Sequence, residues 1–186
     1  STAFDIDSLK FLEELDMPFY KVPSGELTNG PLLWNFARLG RPLLVSTGMA
    51  TISEVEQALA IIAHARNETA EPKDVTEVWR GWSNPAWRSS LIGHVTLLHC
   101  TSQYPTKMQE CNLRAMDTLR VFGLPVGYSD HTNVEETKLI ASKIALALGA
   151  SCIERHFTVL ERNQTKDGAV SINPSELKEL TDFAKL

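Results

Sequence analysis

The feature that most restricts the possible folds of this chain is a regular alternation of short β-rich runs with helical patterns. The β-rich runs lie at residues 19–22, 43–46, 95–99, 125–128 and 152–156. Most of them follow one another after about 25 to 30 residues, roughly the length of a strand, a helix and two loops. This repeat predicts parallel strands joined by helical crossovers. The pattern is compatible with a closed barrel and with an open, doubly wound sheet.

The helices between the strands are predicted from apolar spacing and from residues that favour helix ends. Helical patterns occur at residues 5–15, 31–39, 113–121 and 134–148. Ser53 and Glu56 form an S-x-x-E pattern, which predicts a capping box at the start of another helix. Asn173 as N-cap and Glu176 in the first turn predict the start of the last helix.

One connection is longer than the others because residues 67–93 are inserted between a helix and the next strand. The insertion is rich in turn residues and contains Trp79, Trp82 and Trp87. We expect an ordered excursion on the helix side of the sheet. It forms either a contact surface or a surface loop that packs against itself.

Length, charge and cysteine content narrow the class of protein. The chain has 186 residues, of which 43% are hydrophobic, enough to bury a core. A complete (β/α)8 barrel takes about 250 residues, and Ser1 already lies inside a strand-like pattern, so we expect a fragment. A net charge of −5 without a basic run argues against nucleic acid or a membrane as partner. Three cysteines without CxxC spacing favour reduced thiols in a cytoplasmic protein.

Polar residues follow every predicted strand. The runs are PSGE at 23–26, STGM at 46–49, CTSQY at 100–104, SDHT at 129–132 and HFT at 156–158. In parallel α/β folds, functional groups collect at the carboxyl ends of the strands. Five successive polar ends therefore predict a convergent polar pocket.

Two of these strand ends carry a histidine, His131 and His156. Because they follow consecutive strands, they would be neighbours in a closed barrel. Two neutral imidazoles with oxygen donors nearby can bind Mn2+, Zn2+ or Fe2+ and leave positions open for substrate. The residues alone leave metal binding and a structural role open. His99 lies within a strand and is predicted to be a core or wall histidine.

Lys21 is a charged residue within an apolar strand. A buried ammonium group needs a carboxylate or an anionic ligand. Hydroxyls and glycines that could cradle a phosphate beside it are Ser24, Ser46, Thr47, Ser129, Gly25 and Gly48. The alternative is an ion pair between Lys21 and Glu26 or a neighbouring strand, and Glu26 itself could be a solvated loop carboxylate.

These motifs resemble those of the N-acetylneuraminate (sialic acid) synthase family, which includes legionaminic and pseudaminic acid synthases and spore-coat polysaccharide synthases. The matching runs are YKVPSGE at 20–26, STGM at 46–49, LHCT at 98–101, YPT at 104–106, GYSDHT at 127–132 and IERHFT at 153–158. Their order and spacing match over essentially the whole chain apart from the insertion.

The resemblance implies a phosphoenolpyruvate-binding (β/α)8 TIM barrel that is present only in part, from the end of strand 3 through strand 8. Residues 1–186 would be the C-terminal portion of a single catalytic domain, without the N-terminal strands and without the family's antifreeze-like C-terminal domain. The implied activity is that of a transferase. It condenses phosphoenolpyruvate with an N-acylmannosamine-type amino sugar to a sialic-acid-like nonulosonic acid and phosphate. A cytoplasmic homodimer is implied for the full-length protein, and we expect this chain alone to be inactive.

The resemblance also implies roles for individual residues. The groups implied to hold phosphoenolpyruvate are Thr2, Lys21, Ser24, Ser46 and Ser129, and also Ser102, where the family usually has asparagine. His131 and His156 are implied ligands of a divalent metal, usually Mn2+. Glu26 and Tyr104 would face the substrates, and Asp167 would contact the sugar. Glu26 is our own candidate for the group that moves protons.

Two other interpretations remain open. Another phosphoenolpyruvate-dependent synthase of 3-deoxy sugar acids would need a second phosphate site, and the strand ends show no additional arginine cluster. An inactive or non-catalytic barrel fragment is the second alternative, although the lysine and the histidine pair are retained.

Overall fold

A computed structural model describes residues 2–186 of the chain as two compact units. The first unit takes in the chain up to Leu97 together with Val121–Leu124, and the second consists of Leu98–Arg120 and Pro125–Leu186. Within each unit, the paired strands run parallel and follow one another in chain order. No helix within residues 2–186 has the length and apolar character required to cross a bilayer.

The first unit contains the predicted elements up to the start of the third strand, in the predicted order, together with two helices of the insertion that are not predicted. They are α1 (Ile6–Glu13), β1 (Tyr20–Val22), α2 (Gly30–Arg38), β2 (Leu43–Ser46), α3 (Ile52–Asn67), α4 (Val75–Trp82), α5 (Pro85–Ser89) and the start of β3 (Val95–His99). Strand β1 pairs in parallel with β2, with Lys21 opposite Leu44. Thr2 forms a parallel bridge to Lys21 on the other side of β1. A strand end therefore precedes β1 in the sheet, as the sequence predicts.

The predicted capping box of α3 is wrong by two residues. The box is formed by Thr51 and Glu54: the Glu54 amide donates to Thr51 Oγ1 at 3.3 Å, and the Thr51 amide donates to Glu54 Oε2 at 2.7 Å. The pattern T-x-x-E therefore overlaps S-x-x-E, and the earlier pair caps the helix because the chain leaves its extended conformation at Thr51. Glu56 lies two residues after Glu54 in α3 and accepts a hydrogen bond from the Trp82 indole.

The tryptophan-rich insertion is ordered and contains the two helices α4 and α5. Trp82 Nε1 donates to Glu56 Oε1 in α3 at 2.9 Å. Trp87 lies edge-on to the buried His64 of α3, with ring centroids 5.3 Å apart. It also covers Gly81, where an added Cβ would lie 2.0 Å from the Trp87 ring. Two of the three indoles thus pack onto the insertion's own unit, whereas Trp79 remains 36% exposed at the wall of a cleft of about 630 Å³.

The second unit contains the end of β3 and the remaining elements. They are α6 (Ala115–Leu119), β4 (Val126–Asp130), α7 (Val134–Thr137), α8 (Ile140–Ala147), β5 (Ile153–Phe157), β6 (Ser171–Ile172) and α9 (Pro174–Phe183). Strand β4 pairs in parallel with β5, and β5 pairs in parallel with β6. Strand β6 is not predicted from the sequence because two residues are too few to show a periodicity.

The single helix predicted at 134–148 is interrupted. Lys138 adopts a positive φ of 54° and separates α7 from α8. This break allows Val134 and Leu139 to be buried in one apolar cluster with Ile172 and Leu180. Burial in the cluster outweighs the helical pattern, which continues through Lys138 without any breaker residue.

Candidate active site

The carboxyl ends of β4 and β5 bring His131 and His156 together in the second unit. Their ring centroids are 5.5 Å apart and the ring planes are inclined by 76°. The register explains this proximity, because Ser129 lies opposite Glu154 and successive residues of a strand point to opposite faces. Ser129 and Glu154 therefore share one face with the two histidines.

The hydrogen bonds of His131 fix the tautomer of its ring. Nδ1 lies 2.9 Å from the Thr101 carbonyl oxygen, which can only accept, so Nδ1 carries the proton. Nε2 then has the free lone pair and accepts from Tyr104 Oη at 2.8 Å, with Ser129 Oγ at 3.2 Å. Burial lowers the pKa of His131 to about 4, against the opposing effect of the Thr101 carbonyl. The imidazole is therefore neutral at neutral pH, which is the form that binds a metal ion.

Tyr104 packs against both His131 and His156. Its ring stacks on His131 with centroids 3.9 Å apart and meets His156 edge-on at 5.6 Å. Burial raises the pKa of Tyr104 to about 12, so the hydroxyl keeps its proton and donates to His131. Ser102 lies in the same loop and is exposed.

His156 is more accessible than His131, with a third of its side chain exposed. Its Nδ1 lies 3.5 Å from Asp167 Oδ2. The aspartate that sequence resemblance associates with the sugar is thus next to the histidine that it associates with the metal. Both side chains face solvent in part, which leaves room for a ligand on this side.

Glu154 belongs to the same group and is missed by the sequence analysis. Its Oε1 accepts a hydrogen bond from Ser129 Oγ at 2.7 Å. The signal that could have revealed it is the period of two in a strand, because Glu154 precedes His156 by two residues. Its negative charge raises the pKa values of both His131 and Tyr104, as a secondary effect beside that of burial.

The residues present fit a divalent metal ion held by the two imidazoles. Within residues 2–186 no three histidine, cysteine, aspartate or glutamate side chains are placed to form a complete ligand set. Two histidines would therefore leave coordination positions for substrate or water oxygens. One imidazole is already neutral, with its second nitrogen bonded to a backbone carbonyl, as is usual for metal-binding histidines. This donor set suits Mn2+ or a similar ion.

In the first unit, the predicted phosphate-binding residues lie at the ends of β1 and β2. Lys21 is buried and its Nζ donates to the Val22 carbonyl oxygen at 2.9 Å. Ser46 Oγ is buried and has no hydrogen-bond partner within the described chain. Leaving a hydroxyl in this state is costly, and an anionic ligand would satisfy it.

The polar turn after β1 contains the other residues predicted there. Ser24 begins a 3-10 turn that extends to Glu26. The Glu26 carboxylate accepts from Asn29 Nδ2 at 2.8 Å, a contact that holds it against the start of α2. Glu26 is thus anchored in the turn and half-buried rather than fully solvated.

The prediction for His99 is confirmed. Its Nε2 lies 2.8 Å from the Cys111 carbonyl oxygen, and its ring stacks on Tyr128 with centroids 5.7 Å apart. It is a satisfied core histidine. Cys111 is buried beside it, and all three cysteines of the chain are free thiols.

Parallel strands that alternate with helices and carry polar groups at their carboxyl ends are typical of the (β/α)8-barrel class. The chain belongs to the NeuB family, whose profile matches residues 1–185. The family predicted from the sequence motifs is therefore confirmed.

Curated relatives support this membership. The N,N'-diacetyllegionaminic acid synthase of Campylobacter jejuni is 40% identical, over 97% of this chain and 46% of the relative. The N-acetylneuraminate-9-phosphate synthase of Homo sapiens is 31% identical, over 100% of this chain and 44% of the relative. The chain spans about half the length of the curated relatives it matches.

Solved structures confirm the predicted fold class. The N-acetylneuraminic acid synthetase of Leptospira borgpetersenii superposes with a TM-score of 0.78 at 30% identity, over 99% of this chain and 54% of that one. The phospho-2-dehydro-3-deoxyheptonate aldolase of Thermotoga maritima superposes with a TM-score of 0.71 at 18% identity, over 99% of this chain and 48% of that one. The second similarity shows the fold alone.

Proposed function

We propose that the complete protein condenses phosphoenolpyruvate with an N-acylmannosamine-type amino sugar, giving a nonulosonic acid and phosphate. The observation that carries the proposal is the pair of imidazoles at the ends of β4 and β5, with Tyr104 and Asp167 in contact with them. Membership of the NeuB family and the similarity to a legionaminic acid synthase support it. Residues 1–186 would then be the C-terminal part of a single barrel domain in a cytoplasmic homodimer.

The reaction forms a bond between C3 of phosphoenolpyruvate and the aldehyde carbon of the open-chain sugar. Water adds at C2, and the bond from C2 to the phosphate oxygen breaks, which releases phosphate. Mn2+ bound by His131 and His156 would supply a Lewis acid for the aldehyde oxygen. Burial keeps His131 neutral against the opposing effect of the Thr101 carbonyl. The bond from Nδ1 to that carbonyl leaves the lone pair of Nε2 available for the metal.

Holding the phosphate is the role we propose for Lys21 and the hydroxyls. Lys21 provides the positive charge and the buried Ser46 provides an unsatisfied hydroxyl. Thr2 pairs with Lys21 at the adjacent strand end, and Ser24 opens the turn after β1. Ser102 and Ser129 complete the proposed set. Fixing the phosphate fixes the attacking carbon relative to the aldehyde, which removes orientational entropy from the barrier.

The carboxylates of Glu26 and Asp167 have different proposed roles, proton transfer and sugar binding. Glu26 is our proposal for the group that exchanges protons with the water or the sugar, because it follows the phosphate-binding strand directly. Tyr104 keeps its proton well above neutral pH and therefore acts as a hydrogen-bond donor rather than as a base. Asp167 lies beside His156 and is proposed to bind a sugar hydroxyl.

Phosphate release from phosphoenolpyruvate tests the proposal. The complete protein is incubated with Mn2+ and, in separate reactions, N-acetylmannosamine, its 6-phosphate, a 2,4-diacetamido sugar and a phosphorylated aldose without an amino group. Release with one of the amino sugars supports the proposal and identifies the substrate. Release with the phosphorylated aldose alone would favour a 3-deoxy sugar acid synthase, and release with none would refute both.

A further inference from the structure

A buried ion pair joins β4 and β5 on the face opposite the histidines. Arg155 Nη1 lies 2.6 Å from Asp130 Oδ1, and the side chains are 2% and 0% exposed. The two residues lie directly opposite each other in the register of the strands. Neither residue is among those predicted from the sequence to act in the site.

The position of the pair in the two strands links it to the site. Asp130 stands between Ser129 and His131, and Arg155 stands between Glu154 and His156. Since successive residues of a strand point to opposite faces, fixing one face fixes the other. A slip of one residue between the strands would turn the site residues away from one another. The ion pair therefore fits the register that brings the two imidazoles together, and it would be lost on a slip of one residue.

Arg155 also supports the chain beyond the end of β4. Its Nη1 donates to the Asp130 carbonyl oxygen at 3.0 Å and to Thr132 Oγ1 at 3.2 Å, and its Nη2 donates to the Thr132 carbonyl oxygen at 3.3 Å. Strand β4 ends at Asp130, so His131 lies beyond the regular hydrogen bonds between the strands. The bonds from Arg155 hold the backbone there instead. The guanidinium thus holds the backbone on both sides of the histidine.

The carboxylate of Asp130 is held from two further directions. Oδ1 accepts from the Thr132 amide at 2.8 Å, and Oδ2 accepts from Ser142 Oγ in α8 at 2.6 Å. Helix α8 packs on β4 and β5, so the pair is fixed to the helix layer as well as between the strands. Because the ion pair is fixed in this way, the neighbouring residues of β4 and β5 can shift little in position.

Net stabilisation does not account for this arrangement. A buried ion pair costs desolvation that often equals its attraction, and apolar residues of similar volume can replace it without loss of stability. Arg155 Nε is also buried without a hydrogen-bond partner in the described chain, which adds to the cost. The planar fork of arginine, which lysine lacks, is what reaches both Asp130 and Thr132.

We propose that Asp130 and Arg155 are positioning residues that set the separation of His131 and His156 and thereby the affinity of the site for a divalent metal ion. The proposal rests on the proposed function, because it assumes that the two histidines bind the metal. It assigns a geometric role to a pair that does not itself touch substrate or metal.

The test is Arg155→Lys in the complete protein, with Mn2+ affinity measured by the electron paramagnetic resonance signal of free Mn2+. Arg120→Lys is the matched control, because Arg120 donates to the carbonyl oxygens of Leu148 and Gly149 at the opposite end of α8. We expect the Mn2+ dissociation constant to rise about 10- to 100-fold in Arg155→Lys, the usual effect of losing a residue that orients metal ligands. The control should bind as the wild type does. All proteins are measured well below their unfolding temperatures, so that a loss of stability alone does not change the affinity.

A double variant keeps the proposal testable if Arg155→Lys does not fold. Asp130→Leu with Arg155→Met replaces the pair by apolar side chains of similar volume, and we expect a folded protein with the same loss of Mn2+ affinity. Wild-type affinity in a folded variant, or loss of folding in both variants, would overturn the proposal. The proposed function fails separately, if the wild type neither binds Mn2+ nor releases phosphate from phosphoenolpyruvate.

Discussion

Replacing Tyr104 with phenylalanine should strengthen the binding of Mn2+ while it slows the condensation. The Tyr104 hydroxyl donates to His131 Nε2 at 2.8 Å, which is the nitrogen whose lone pair a metal would use. Metal binding must break this hydrogen bond, whereas the stacking of the two rings at 3.9 Å remains in the phenylalanine variant. We therefore expect the hydroxyl to compete with the metal before binding, and we propose that it donates to the substrate afterwards.

The size of the effect follows from the net value of one hydrogen bond. Such a bond contributes about 0.5 to 1.5 kcal/mol, which corresponds to a dissociation constant lowered about 2- to 12-fold. The assay is titration of the metal-free protein with Mn2+, and phosphate release gives the rate of condensation. Tyr128→Phe is the control, because its ring stacks on the core histidine His99 instead of a candidate ligand. Weaker Mn2+ binding by Tyr104→Phe than by the control would refute the reasoning, since the hydroxyl would then support the metal rather than compete with it.

Three further substitutions test the proposed phosphate site and the packing of the insertion. Lys21→Ala should mainly raise the KM for phosphoenolpyruvate, because the buried ammonium is proposed to hold the phosphate; an unchanged KM in steady-state assays would contradict this. Ser46→Ala removes a buried hydroxyl without a partner in the described chain, so the unliganded protein should keep its unfolding temperature while phosphoenolpyruvate binds more weakly by calorimetry. Gly81→Ala should destabilise the protein by about 1 to 3 kcal/mol through overpacking, measured by urea unfolding, because the new Cβ would lie 2.0 Å from the Trp87 ring. A neutral result would show that Trp87 moves freely.

The first five strands and the histidine pair are predictable from the sequence because they depend on repeated, local patterns. Each of these five strands is a short, mainly apolar run, and the candidate functional groups lie where it ends. Parallel pairing then places His131 and His156 at one edge of the sheet without any knowledge of side-chain contacts. The family resemblance adds the chemistry that these positions carry.

The features that are not predicted depend on register and on tertiary packing. The capping box lies at Thr51 rather than Ser53 because two overlapping patterns compete and only the backbone conformation decides between them. The break at Lys138 follows from burial of the residues on either side, which outweighs helix propensity. The Asp130–Arg155 pair becomes visible only once the pairing of β4 with β5 is known. The sequence of β4 alone does not show that Asp130 lies opposite Arg155, and the sequence of β5 alone does not show it either.

The most direct test of the central claim is the number of histidine nitrogens bound to Mn2+ in the complete protein, measured by electron spin echo envelope modulation. We predict two histidine nitrogens in the wild type and one in either His131→Ala or His156→Ala, because the rings lie 5.5 Å apart on neighbouring strands. His99→Gln, which changes the core histidine bonded to the Cys111 carbonyl, should leave the count at two. A wild-type spectrum without histidine nitrogens, or one that neither alanine variant alters, would contradict a metal site at the ends of β4 and β5.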